Sequence, residues 1–183
     1  MKLLLVVLIV VTTACSRGTH NVVSITGVDA RLTPSGVEID ADAEISLSQA
    51  IAAGVASGVP LSFILTADVS RSSGWNRRVL RQRFRYDIEF YDLTRHYRLT
   101  RQPDQMSRNF RSLLEALDYM GRIRGLELPW SPSALVREEA ESGYHVRLAL
   151  SFDINALPLP LIPQAVLSPA WRVRTGETSW PVQ

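Results

Sequence analysis

Two periodicities divide this chain. From Val22 to Leu47 apolar residues recur at every second position, with one change of phase at Gly27. Val37, Ile39, Ala41, Ala43, Ile45 and Leu47 alternate with Glu38, Asp40, Asp42, Glu44 and Ser46. A period of two sends successive side chains to opposite faces of a strand. Thr33-Pro34-Ser35-Gly36 separates the two halves with turn chemistry, since proline presets φ and glycine accepts a positive one. Residues 22–47 are predicted as a β-hairpin with one apolar and one acidic face, and Gly27 as a bulge.

Ser48 is placed to cap a short helix over 49–57, Gly58 to end it and Pro60 to prevent its continuation. Leu61, Phe63, Leu65, Ala67 and Val69 predict a third strand, and Ser72-Ser73-Gly74 a loop. In a fourth strand Leu80, Phe84, Tyr86, Ile88 and Phe90 share one face, with Arg81, Arg83, Arg85, Asp87 and Glu89 on the other. A turn at Tyr91–Thr94 and a return strand over 95–101 follow. Over 104–124 the period changes. Met106, Phe110, Leu113, Leu114, Leu117, Met120 and Ile123 form a helical stripe, with Gly125 placed as its stop. Pro129–Pro132 reads as loop, and Tyr144, Val146, Leu148, Leu150 and Phe152 as a strand. Leu157–Pro163 is expected to be extended and polyproline-like, because its three prolines remove backbone donors. A last strand or hairpin runs from Trp171 towards Trp180. Seven or eight strands and two helices follow. The fold class is a β-rich α+β protein, an antiparallel sheet or sandwich with helices on one face or end.

With 183 residues, 46 % hydrophobic and 21 % charged, the chain suits one globular domain, placed at 22–183. A disordered chain, a coiled coil and a polytopic membrane protein are excluded. The start stands apart. Lys2 precedes nine unbroken apolar residues, Leu3 to Val11, and then Thr12-Thr13-Ala14-Cys15. Spanning a bilayer takes about 20 apolar residues, so this run fits the core of a signal peptide instead. The only cysteine lies where bacterial lipoproteins carry their lipidated cysteine. Residues 1–14 are read as a signal peptide, Cys15 as the lipidation site and 15–21 as a tether. Ser16 in place of aspartate favours the outer membrane. Thr12-x-Ala14 also satisfies ordinary secretory cleavage, and an uncleaved anchor is a third arrangement. One cysteine allows no internal disulfide framework.

The net charge of +2 is too small to argue for nucleic-acid binding, and an exported protein seldom meets nucleic acid. The charge is nonetheless uneven. Residues 71–124 hold 13 Arg against six acids, a balance of +7, while 21–70 hold one Arg against six, a balance of −5. Glu38, Asp40, Asp42 and Glu44 have the spacing of Arg81, Arg83 and Arg85 with opposite sign. The two rows either adjoin as a cross-strand charge ladder or form independent solvated faces. Trp75, Arg81, Arg83, Arg85, Arg95 and Arg98 make up the candidate binding surface, suited to anionic headgroups, lipopolysaccharide or an acidic protein. Trp130, Trp171 and Trp180 stand near prolines, as core closure or as a docking surface.

Chemistry is sparse. His20 lies in the tether, and His96 and His145 on polar sides of predicted strands. No G-x-S-x-G, H-E-x-x-H, P-loop or G-x-G-x-x-G motif occurs. Asp87, Glu89 and Asp92, flanked by arginines, read as surface ion pairs rather than catalytic acids. A calcium loop starting at Asp40 needs glycine and glutamate where Ile45 and Ile51 stand. No cofactor or metal is expected.

Gly58-Val59-Pro60-Leu61, Arg83-Phe84-Arg85-Tyr86, Asp92-Leu93-Thr94-Arg95-His96-Tyr97-Arg98-Leu99, Phe110-Arg111-Ser112-Leu113-Leu114-Glu115-Ala116-Leu117, Leu157-Pro158-Leu159-Pro160-Leu161 and Trp171-Arg172-Val173 occur in that order. In order and spacing these stretches resemble the DUF4390 family of proteobacterial envelope proteins, over roughly Val23 to Trp180. Trp75 corresponds to the family's tryptophan before the basic strand. The resemblance implies a single exported domain of unknown function, often encoded beside a membrane sensor kinase of the nitrogen-regulation type. It carries over no catalytic residues.

The expected function is that of a lipid-anchored, non-enzymatic binding or adaptor domain of the cell envelope, with a sensor kinase's periplasmic part as a partner. The alternative is a carrier of an apolar or anionic envelope ligand, with 104–124 lining a cavity. A third reading is a hydrolase of envelope polymers, which requires His96 or His145 beside an acid in a concave site.

Overall fold

The computed structural model describes residues 21–71, 78–130, 143–176 and 178–183. The acidic hairpin forms as its alternation dictates. Strands β1 (Val22–Thr33) and β2 (Gly36–Ser46) pair antiparallel, and their register shifts between Ile25 and Gly27. Ser48 caps α1 (Gln49–Ala56), accepting the Ile51 N–H, and Gly58 follows at φ +87°. Then come β3 (Leu61–Arg71), β4 (Arg78–Tyr91), β5 (His96–Gln102), β6 (Met106–Phe110), α2 (Leu113–Gly121), β7 (Arg122–Pro129), β8 (Tyr144–Phe152), α3 (Ile162–Leu167) and β9 (Ser179–Pro181). Short 3-10 turns occupy Ile154–Ala156, Leu159–Leu161 and Pro169–Trp171.

The strands make two antiparallel sheets, β1-β2-β7 and β6-β5-β4-β3-β8-β9. Their apolar faces meet in one core. Val37, Ile39 and Leu128 come from the smaller sheet, Phe63, Leu65, Ile88 and Leu148 from the larger, all 0–1 % exposed. Gln183 joins the sheets at one corner, donating to Ala30 O at 2.8 Å and accepting from Leu32 N at 3.0 Å. The result is the β-rich α+β sandwich that the alternation predicts.

The pairings also define two ends. Val22 opposite Ser46, the Asn21 bond to Ala170 and the Asp153–Ser62 bond gather α1, α3 and the 3-10 turns where the chain enters at Asn21. The turn at 34–35, Gln183 and Tyr144 lie at the other end.

The structure departs from expectation at 104–124 and at 157–163, and it decides between the two arrangements open to the charged rows. The helix expected over 104–124 is a strand, a nine-residue helix and a second strand. Steps of three and four also recur where a short helix adjoins strands, and Ile123, Leu126 and Leu128 are buried as members of β7. The helix ends where its backbone meets β2: a Cβ on Gly121 would lie 2.2 Å from Ala43 O. Gly125 is no helix stop. It sits inside β7 at φ +55°, donating its N–H to Asp40 Oδ1 at 2.7 Å.

Leu157–Pro163 is not a polyproline run. Only Leu157 and Pro158 are extended, and Pro160 and Pro163 enter the first turns of helices, where a missing N–H costs nothing.

The acidic and basic rows form no ladder, because β2 and β4 belong to different sheets. Asp40 pairs with Arg31 at 2.7 Å and Asp42 with Arg124 at 2.6 Å, whereas Arg81 pairs with Asp68 and Arg85 with Asp87 and Asp153.

Candidate functional site

The outer face of the larger sheet holds the strongest feature. Cross-strand register aligns Arg147 with Asp68 and Arg81, and the next row aligns Ala149 with Thr66 and Arg83. Beyond β8 the chain returns through Trp171–Thr175, bridging Arg174 to Ser151 and donating Thr175 N to Leu150 O at 3.0 Å. That return continues along the edge of β8 that β9 also borders. The groove on this face holds about 590 Å³ and is bordered by Arg81, Arg83, Arg147, Arg172 and Arg174, all exposed.

Among the described residues Asp68 is the sole carboxylate lining this groove, and it is occupied. Arg81 grips it with two bonds, 2.6 and 2.7 Å, and Arg78 stands 3.5 Å away. The Arg81 hydrogen bonds hold the Asp68 carboxyl below the usual range, against the upward push of burial, and the charges of Arg81, Arg78 and Arg147 add to them. Arg83, Arg147, Arg172 and Arg174 make no ion pair with any described residue. Hydroxyls of Thr66, Ser151 and Thr175 complete the lining. Such a surface accepts anions through bidentate guanidinium contacts.

The structure splits the sequence-derived surface. Arg81 and Arg83 border the groove. Arg85 shares their face but is committed, to Asp87 at 2.8 Å, Ser62 Oγ at 2.9 Å and Asp153 at 3.4 Å. Arg98 lies opposite Glu89, eight residues along β4 from Arg81, or about 26 Å. It covers the Tyr91 ring at 4.5 Å. Arg95 sits in the β4–β5 turn at φ +49°. Trp75, Cys15, Ser16 and His20 lie outside the described residues. Arg147, Arg172 and Arg174 escaped sequence reasoning. The signal existed, since Val146-Arg147-Leu148 and Trp171-Arg172-Val173-Arg174 each alternate, but nothing local says that these stretches adjoin.

A second cavity, about 730 Å³, opens between β6 and β7, the free edges of the two sheets. Leu99, Met106, Met120 and Ile123 form its apolar wall, Tyr86 and Tyr119 its aromatic one, and Arg101, Arg108, Arg122 and Arg124 its polar border. Segment 104–124 does line a cavity, though only part of it is helical. Burial pushes the Tyr86 phenol up, with nearby Arg101 opposing. Three border arginines are paired, Arg101 with Asp104, Arg122 with Asp118 and Arg124 with Asp42, while Arg108 covers the Tyr119 ring at 4.6 Å.

Neither described histidine lines either cavity. His96 stacks on Tyr91 at 5.3 Å and meets Thr94 Oγ1 at 2.5 Å. His145 pairs across Ser70 to the opposite end of β4, 13 residues and about 43 Å from His96's partner Tyr91. The two histidines therefore share no site.

A family model described as a domain of unknown function, DUF4390, matches residues 21–181. The chain belongs to the DUF4390 family. That match spans both sheets and both cavities, so the groove and the inter-sheet cavity are features of a DUF4390 domain. No curated protein and no solved structure matches the chain.

Proposed function

We propose that this DUF4390 protein is an exported, lipid-anchored, non-enzymatic binding domain of the bacterial cell envelope. Residues 1–14 direct export, Cys15 carries the acyl chains, and the folded domain acts by contact through the arginine groove. One observation carries the reading: five exposed arginines converge on a groove whose one carboxylate among the described residues is already paired. Concentrated charge of one sign steers and selects an oppositely charged partner. The partner is an acidic segment of an envelope protein, with a sensor kinase's periplasmic part as the first candidate.

Crosslinking and co-purification at natural expression level test it. One envelope protein recovered by the wild type, and lost by Arg83→Glu/Arg147→Glu, is the expected outcome. Recovery of the same proteins by both forms would remove the groove from the reading. The bait's N-terminal mass reports Cys15 in the same run.

The inter-sheet cavity supports a second reading, carriage of a ligand with an apolar body and an anionic end. Native mass spectrometry of protein drawn from envelope extracts should then show a bound mass that Met120→Trp removes. An apo mass throughout ends this reading.

A further inference from the structure

The end of the molecule where the chain enters carries an apolar surface without charge. No charged residue stands between Asp153 and Arg172. Within that stretch Leu159 is 82 % exposed, Val166 52 % and Leu167 80 %, with exposed prolines at 158, 160 and 163. The segment is firmly attached, since Leu157, Ala165 and Trp171 are buried and Trp171 packs on Phe152 at 5.9 Å. One side holds it to the core while the other is held out in water. Exposed apolar residues scattered singly need no explanation, but several on one uncharged segment mark a contact surface.

Two observations say what covers it. The first is where the tether leaves. Asn21 donates from Nδ2 to Ala170 O at 2.8 Å and to Arg172 O at 3.1 Å, and accepts the Ser48 N–H at 2.7 Å. Cys15 lies six residues upstream, which reach about 21 Å at full extension. The far turn at 34–35 is separated from Asn21 by the 12 residues of β1, about 40 Å. Acyl chains on Cys15 therefore bring residues 158–169, and not the far turn, to the bilayer.

The second observation is the border. Arg172 is exposed next to the apolar run and leads into the arginine groove. Aliphatic side chains beside unneutralised arginines match the boundary between acyl chains and anionic headgroups. Leu93, 101 % exposed in the β4–β5 turn, lies at the same end, because Leu61 pairs with Ile88 and Phe63 with Phe152.

We propose that the surface formed by Leu159, Val166 and Leu167, bordered by Arg172, docks on an anionic lipid bilayer. The domain then stands on the membrane with the Arg172 end of its arginine groove towards the headgroups and the 34–35 turn pointing away. A partner in the groove is accordingly met close to the membrane plane. The inference deepens the lipid-anchor reading and rests on it for orientation.

The test uses the full chain, purified from its own envelope. It is mixed with phosphatidylglycerol vesicles carrying a diazirine near the top of the acyl chain, and lipid adducts are mapped after illumination. Adducts at 158–169 at least tenfold above those at 33–36 are expected. Leu159→Asp/Leu167→Asp should lower them severalfold with the melting curve unchanged, since both side chains are exposed. Adducts spread evenly over the two ends, or absent from 158–169, overturn the docking surface, as they would if a protein covers it. Adducts at 158–169 that persist undiminished in the double variant overturn it too. The mass at Cys15, read from the same digest, judges the anchor separately. A bare Cys15 with the expected adducts sinks the anchor and leaves the docking surface standing.

Discussion

Phe63 shows how much one alternating position carries. It is fully buried and meets Phe152 edge-on, 5.6 Å between centroids at 63°. Truncation leaves a cavity that a two-sheet core cannot close, so Phe63→Ala should cost about 3–5 kcal/mol in urea denaturation. Asp68 makes a different prediction. Its folded pKa lies below the ordinary value because Arg81 bonds the ionised form. Stability from a depressed carboxyl is in place above the unfolded pKa, about 3.9, and is lost as pH falls through the folded value. Asp68→Asn should therefore melt below wild type at neutral pH, with the gap closing under acid. Thermal melts from pH 7 to 3 check the sign, and a gap that widens in acid would contradict it. Asp68 is legible in sequence as a polar position of β3, but its bond to Arg81 depends on the β3–β4 register.

At the scale of elements, local signals succeeded at α1, where Ser48 caps as its side chain suggests. Ser112 caps α2, accepting the Glu115 N–H at 3.2 Å, inside a stretch expected as one helix. Ser112→Ala should destabilise the protein by about 1 kcal/mol, read as a shift of the denaturation midpoint. Segment 104–124 defeated the same reasoning because its apolar spacing satisfies a helix, while the sheets offer β6 and β7 partners the sequence does not reveal. Strand β7 pairs with β2, more than 80 residues earlier in the chain, as in Ile123 opposite Ala41. Gly125 then takes a positive φ that a side chain resists. Gly125→Ala should cost about 1 kcal/mol, and lose more if β7 shifts from β2. Prolines 160 and 163 depart from the extended expectation for a related reason. Their fixed φ suits the first turn of a helix as well as an extended run.

The whole molecule joins both sheets through one core and through main-chain bonds from Gln183. Heat should produce one cooperative transition, with far- and near-ultraviolet circular dichroism coincident. Two separated transitions would mean that the three-stranded sheet opens independently. The arginine groove is assembled from β3, β4, β8 and the return at 171–175. Its affinity for an acidic polymer should vanish with the tertiary signal in the same melt. At 25 °C, Arg83→Glu/Arg147→Glu should weaken binding to polyglutamate at least tenfold and flatten its salt dependence, with stability little changed. Fluorescence titration at low and high salt measures both effects.

Local spacing and turn chemistry determined by themselves that this is a β-rich antiparallel protein, where its first hairpin turns and bulges, and where its first helix is capped. Those features rest on neighbours in the chain, so local spacing and turn chemistry suffice to specify them. The family resemblance was legible too, from ordered short stretches over nearly the whole domain. Tertiary structure alone decided which charges meet. The acidic row of β2 is answered by Arg31 and Arg124 rather than by β4, and Arg81 and Arg83 gain Arg147, Arg172 and Arg174 as neighbours. The physical reason is that strand partners are chosen by burial of whole faces against one another. The same pairing that buries Phe63 and Leu148 carries the arginines on their reverse side into one groove.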